Sequence, residues 1–180
     1  DTAMGFCLFN NIAVGALLAR HVHGLRKIAI FDFDVHHGNG TQEIFWSDPD
    51  TLYVSTHQSP LYPGTGHPGE TGAHRNILNR PQAPGTGSAA WRQDVERHVL
   101  PAIDAWKPEL LMISAGFDAH EADPLAQMRL VEADFAWVTG ELRRLADRHA
   151  LGRIVSVLEG GYDPPALGRS VVAHLNALGG

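Results

Sequence analysis

The feature that most constrains this chain is a repeated pairing. A short, mostly apolar run is followed at once by a polar group, in three of four cases flanked by glycine. Residues 28–31 lead into Asp32-Phe33-Asp34-Val35-His36-His37-Gly38-Asn39-Gly40, and residues 52–55 into Thr56-His57. Residues 110–114 lead into Ala115-Gly116-Phe117-Asp118-Ala119-His120, and residues 154–158 into Glu159-Gly160-Gly161-Tyr162-Asp163. Runs this apolar, broken only by Ser55, Ser114 and Ser156, fit strands buried on both faces. Between them the period becomes helical. Residues 10–23 place Ile12, Ala16, Leu17 and Ala19 at helical spacing, with Asn10 or Asn11 as N-cap. Residues 41–46 suit a short helix. Residues 88–106 suit a long one, capped at Ser88 and kinked at Pro101. Residues 131–149 carry Phe135, Val138, Leu142 and Leu145 on one face, and residues 164–178 open with proline in the first turn. Residues 57–73 are rich in Gly and Pro and read as a long loop, with a further short strand at 75–78. Strands alternating with helices predict an α/β, three-layer fold: a mostly parallel sheet flanked by helices.

Composition narrows the function classes. With 44% hydrophobic and 19% charged residues over 180 positions, the chain can bury a core and is not disordered. A net charge of −6 without a basic cluster gives no reason to expect nucleic acid. No apolar run approaches a membrane span. The lone Cys7 excludes an internal disulfide and a cysteine-based zinc cluster, and it fits a reducing compartment; a cytoplasmic location is expected. The chain opens at Asp1-Thr2-Ala3-Met4 and runs almost at once into a motif. The expectation is a single domain over residues 1–180 that is the C-terminal portion of a larger one, its N-terminal part missing.

Ligands of open α/β sheets bind outside the carboxyl ends of the strands. In extended chain, alternate side chains face one way, so Asp32, Asp34 and His36 can converge. A carboxylate and an imidazole two residues apart can hold one metal ion, and Asp118 can arrive from another strand end as a third ligand. Three protein ligands leave a position open for water or substrate, as in catalytic zinc sites. Alone, an Asp-x-His tripeptide is more often a hydrogen-bonded loop, and Tyr162 alone a half-buried core tyrosine; their joint placement favours the metal reading. His21, His23, His98, His149 and His174 lie on helical segments and read as surface or packing residues.

Together the motifs resemble the histone deacetylase family. They are Gly5-Phe6-Cys7-Leu8-Phe9-Asn10-Asn11, the run from Asp32 to Gln42, Tyr62-Pro63-Gly64-Thr65-Gly66, Gly116-Phe117-Asp118-Ala119-His120 and Leu158-Glu159-Gly160-Gly161-Tyr162-Asp163, in family order. The Asn39-Gly40-Thr41-Gln42 and Leu158–Tyr162 versions are most similar to the class II branch and the bacterial deacetylase-like amidohydrolases. The resemblance implies an arginase/deacetylase-like fold and a zinc-dependent deacetylase that hydrolyses acetyl-lysine or another N-acetylated amine through a metal-activated water. It implies that Asp34, His36 and Asp118 bind zinc and that the Tyr162 hydroxyl hydrogen-bonds the substrate carbonyl. Phe6 and Tyr62 match the walls of the acyl-lysine tunnel, and Gly160 lets backbone approach the substrate. Asp32 and Ser55 match a structural potassium site, with His37 behind the metal. Ferrous iron suits the same donors.

One departure stands out. The family's Pro-Gly-His-His pair, which does the proton transfer, is absent from these residues, and His36-His37 is not that pair. The chain alone is therefore expected to be inactive. Acetylated polyamines and other small amides remain open as substrates, as does a homo-oligomer. A non-catalytic deacetylase-like binding module is a second class. A ureohydrolase of the arginase type is a third, though Gly38 stands where its second metal would need a carboxylate.

Overall fold

The computed structural model describes residues 2–180. Five parallel strands form one sheet: β1 (Ile28–Asp32), β2 (Thr51–Gln58), β3 (Ile77–Gln82), β4 (Leu110–Ala115) and β5 (Ile154–Leu158). Their order is β3-β2-β1-β4-β5. The chain builds outward from β1 to β3, then returns to the other side of β1 for β4. That reversal opens a crevice at the carboxyl ends of β1 and β4, the place where such sheets bind ligands. Asp32 pairs in register with Ser55 on one side and Ser114 on the other.

Alternation along β1 divides the core. Ile28 and Ile30 face α1 (Asn11–His23) and α2 (Asn39–Phe45), joining Ile12, Ala16, Phe45, Tyr53 and Met112. Ala29 and Phe31 face the opposite layer, joining Trp91, Val95, Ile113, Phe135 and Leu142. The helices of that layer are α3 (Ser88–Asp94), α4 (Leu100–Trp106), α5 (Glu132–His149) and α6 (Pro164–Gly179). The expected three-layer α/β architecture is present, and truncating a core aromatic such as Phe31 to alanine costs about 3–5 kcal/mol.

Local signals explain the ends. Asn10 Oδ1 accepts the Ala13 N–H at 3.0 Å, and Gly24 closes α1 at φ 67. Asp163 Oδ1 accepts the Ala166 N–H at 2.8 Å and starts α6 just before its prolines. Three expectations need correction. The 88–106 helix is interrupted by a π-helical turn, Val95–Val99, where the Leu100 N–H reaches back to Val95 O. The wider turn lets Pro101 enter α4 at its first positions, where its missing N–H costs nothing. Ser88 is not a cap; its Oγ donates to Asp134 Oδ2 at 2.7 Å. The strand placed at 75–78 begins at Ile77 and runs to Gln82, with Pro81 tolerated because β3 lies at the sheet edge.

At the other edge, β5 leaves Val155 and Leu158 exposed, and the outward face of α1 exposes Val14, Leu17, Leu18 and Val22.

Candidate metal centre

The extended chain of β1 stops at Asp32 and then bends, so the alternation expected for Asp32, Asp34 and His36 does not continue. Asp32 turns back: its Oδ1 accepts the Asp34 N–H at 3.1 Å, and its Oδ2 accepts the Tyr53 hydroxyl at 2.8 Å. Asp34 and His36 turn forward. Asp34 Oδ1 accepts the His36 N–H at 2.8 Å, which fixes the bend. His36 Nδ1 then lies 3.1 Å from Asp34 Oδ1 and 3.0 Å from Asp118 Oδ2. Asp118 comes from the loop after β4, and its Oδ1 accepts the Val35 N–H at 2.8 Å. The ligand atoms of Asp34, His36 and Asp118 all lie within 4.8 Å of one another.

Electrostatics show what this cluster lacks. Asp118 is fully buried, and burial together with the charge of Asp34 raises its pKa to about 7. Burial alone would lower the His36 pKa. Hydrogen bonding to Asp118 and Asp34, and their charge, overcome it and raise the imidazole to about 10. Two carboxylates and one imidazole thus converge on a spot that favours positive charge. A divalent cation satisfies that demand with oxygen and nitrogen donors of the type used by catalytic zinc sites, and ferrous iron takes the same set. The donor set fits the metal that the resemblance implies.

Glycines make room for it. A Cβ at Gly116 would overlap Asp34 Oδ2 and lie 2.5 Å from Asp34 Cγ. A Cβ at Gly160 would overlap Asp118 Oδ2 and lie 2.7 Å from Asp34 Oδ2. With no side chain at 160, the Gly160 N–H reaches Asp34 Oδ2 at 2.8 Å. Both Asp34 oxygens are therefore held by backbone N–H groups.

Tyr62 lies edge-on to His36 with ring centroids 6.4 Å apart, and Phe6 lies edge-on to Tyr162 at 6.2 Å. The Tyr162 hydroxyl is pushed up to about 12 by burial and by the charges of Asp118 and Asp34, so at neutral pH it is a hydrogen-bond donor. Ser55 Oγ sits 2.9 Å from His57 Nδ1. His37 Nδ1 sits 2.7 Å from Thr65 Oγ1, and its Nε2 lies 3.0 Å from Gln42 Oε1.

Two residues that follow strands in the sequence, His57 and Glu159, receive no role there and take one in the fold. His57 is 1% exposed and packs against His37 with ring centroids 4.8 Å apart and planes tilted by 55°; its Nε2–H donates to Gly66 O at 3.0 Å, tying down the loop that carries Tyr62. Alternation along β2, which puts Tyr53, Ser55 and His57 on one face, is the available signal. Glu159, raised mainly by burial, accepts the Ser114 hydroxyl at 2.9 Å. Of the helical histidines, His174 is a packing residue: it is buried between Thr139 and Ser156, 2.6 and 2.9 Å away.

Comparison with known proteins places the chain in a family. The model of the histone deacetylase domain matches residues 1–178. Histone deacetylase 14, chloroplastic, of Arabidopsis thaliana is 43% identical over 97% of this chain and 42% of its own length. The histone deacetylase-like amidohydrolase of Pseudomonas aeruginosa is 43% identical over 99% of this chain and 49% of its own. Among solved structures, the HDA15 HD domain superposes with a TM-score of 0.91 at 39% identity, covering 98% of this chain and 51% of that one. The chain spans about half the length of the curated relatives it matches. With that match along nearly its whole length, the chain belongs to the histone deacetylase family.

Proposed function

We propose that this chain supplies the metal-binding half of a zinc-dependent deacetylase, a hydrolase that cleaves the amide of acetyl-lysine or another N-acetylated amine. The carrying observation is the convergence of Asp34, His36 and Asp118 at the sheet's switch point, near enough to Tyr162 for the charges of Asp118 and Asp34 to act on its hydroxyl. Asp34, His36 and Asp118 would hold the ion, which when bound supplies Lewis acidity and acidifies water at neutral pH. The chain's own residues do the rest. Tyr162 donates its hydroxyl proton in a hydrogen bond to the oxygen that gains charge as the carbonyl is attacked; losing one such donor commonly costs about a hundredfold or more in rate. Gly160 keeps the backbone beside the ligands free of a side chain. Phe6 and Tyr62 line the approach on either side. His37 braces the metal-bearing bend through Thr65 and Gln42.

Asp32 and Ser55, paired across β1 and β2, are proposed to sit at a structural potassium site. The support is the buried Asp32 carboxylate, whose pKa burial and Asp34 drive well above the ordinary range, a group that a counter-ion would relieve. We also propose that the domain is larger than these residues and that its remainder brings the proton-transfer histidines. The apolar rows exposed on α1 and β5, and the share of the relatives' length spanned, favour this. A ureohydrolase finds no support, since a Cβ at Gly38 would lie 2.5 Å from Asp32 Oδ2 and leaves no place for the extra carboxylate. Among the described residues no helix is long and apolar enough to cross a membrane. A cytoplasmic location fits the single cysteine.

Acetate release from an acetyl-lysine peptide and from an acetylated polyamine, by this chain and by the whole gene product side by side, tests the reading. Turnover by the whole product alone is expected. No turnover by either, with metal bound, would favour a non-catalytic binding module instead.

A further inference from the structure

We infer that Asp123 is a positioning residue for Tyr162: its buried carboxylate clamps the Tyr162 backbone N–H and so aims the phenol at the metal centre. The inference rests on the deacetylase reading for the role of that phenol, while the clamp itself is a matter of geometry.

Tyr162 lies between β5 and α6 in a stretch without regular structure, so no strand or helix ladder fixes it. The stretch is held at both ends. Gly160 O accepts the Phe117 N–H at 2.7 Å, and the Gly160 N–H donates to Asp34. Asp163 caps α6. Between those ends stands Gly161 at φ 148, a backbone state that L side chains rarely adopt, and a Cβ there would lie 2.7 Å from Leu167 Cδ1. This swivel would leave the direction of the next side chain undetermined without a further hold. The hold is Asp123 Oδ2, which accepts the Tyr162 N–H at 2.7 Å.

Asp123 is itself immobilised. It is 7% exposed, its Oδ1 accepts the Leu125 N–H at 2.9 Å, and its own N–H donates to His120 O at 2.9 Å. The loop that bears it is pinned by Leu130 N–H to Ala119 O at 3.1 Å and Glu121 N–H to Leu130 O at 2.9 Å. The same loop delivers Asp118 to the metal site. One rigid platform therefore sets a metal ligand and, through Asp123, the direction of the carbonyl-facing hydroxyl. A buried carboxylate whose two oxygens are both spent on backbone N–H groups is a strong clamp, because hydrogen bonds to a charged acceptor are about twice as strong as neutral ones.

The test is a double-mutant cycle in the whole gene product loaded with zinc, assayed on an acetyl-lysine peptide. Asp123→Ala is expected to lower kcat about 10–100-fold, the scale of a misplaced catalytic group, with KM and zinc stoichiometry within twofold of wild type. Asp123→Asn, which keeps an oxygen acceptor, is expected to recover most of the loss. In a Tyr162→Phe background, Asp123→Ala is expected to cost less than about threefold, because the group it positions is gone. A loss of equal size in both backgrounds would overturn the inference, since it would show that Asp123 acts independently of Tyr162. Amide exchange of residues 160–163, read by mass spectrometry on the same proteins, needs no turnover. Faster exchange in Asp123→Ala but not in Asp123→Asn is expected, and unchanged protection in Asp123→Ala would show that the clamp is not made. Should wild type fail to turn over, the deacetylase reading falls, and the exchange measurement still decides the clamp.

Discussion

Gly116→Ala is the sharpest steric probe of the metal centre. Its φ is not in the left-handed region, so the backbone accepts alanine and only space is tested. The new Cβ would lie 2.5 Å from Asp34 Cγ and 2.6 Å from Asp34 Cβ, against an ordinary contact of 3.4–4 Å. Asp34 cannot yield cheaply, because its oxygens hold the His36 and Gly160 N–H groups at 2.8 Å each. Overpacking of this kind costs about 1–3 kcal/mol. Displacing the carboxylate instead gives up hydrogen bonds to a charged group, worth about 1.5–3 kcal/mol each. A loss of about 3 kcal/mol follows by either route. With a urea slope of about 2 kcal/mol/M, the midpoint drops by about 1.5 M. Zinc affinity should fall with it, since Asp34, one of the three proposed ligands, moves. The control is Gly168→Ala in α6, where a Cβ meets nothing within 4 Å and a helical glycine is removed, for a gain of about 0.5–1 kcal/mol. Urea melts and calorimetric zinc titrations of the three proteins decide the matter. If Gly116→Ala matched wild type in both midpoint and affinity, Asp34 would not be pinned as described.

Two further outcomes follow from the same geometry. Tyr162→Phe should bind zinc as wild type does and lose about a hundredfold or more in kcat; a variant with unchanged kcat would remove the phenol from the chemistry. Burial, aided by the adjacent His37 ring, holds His57 down to about 4, while an unfolded histidine takes its proton near 6.5. Between those values the unfolded chain binds more protons, so stability falls as pH falls. Wild type should lose about 2 kcal/mol more than His57→Gln between pH 7 and pH 5, at about 1.4 kcal/mol per unit below 6.5. Because Asp118 and Asp32 titrate alike in both proteins, their opposite contribution cancels in the difference. Equal slopes in urea melts of the two would contradict the burial argument.

What the sequence discloses here is what depends on local pattern. The nearly unbroken apolar runs at β1 and β4 mark central strands because burial on both faces leaves few polar positions, Asp32 and Ser114 at their carboxyl ends. Since ligands gather where such strands end, Asp34, His36 and Asp118 are legible together. The turn of Asp32 away from them is not, because it depends on where β1 stops and on the Tyr53 hydroxyl waiting on the neighbouring strand. Asp123 and Gly116 are silent for the same reason: each acts on a residue that only the folded loops bring near. The π-helical turn at Val95–Val99 lies before Pro101 rather than at it, since the preceding turn absorbs the missing N–H. His174 reads from sequence as a helical histidine like any other. Its burial depends on α5 and α6 packing against β5, which spacing along one helix does not reveal.

Asp34, His36 and Asp118 are proposed to form the metal centre of an amide-cleaving site. The most direct test of this proposal is acetate release from an acetyl-lysine peptide by the whole gene product, before chelation, after chelation and after zinc is restored, with Asp118→Asn in parallel. Turnover is expected to disappear with the metal, to return with zinc and to be nearly absent from Asp118→Asn. Turnover that survives chelation, or an Asp118→Asn protein that binds zinc and works as wild type does, would contradict it.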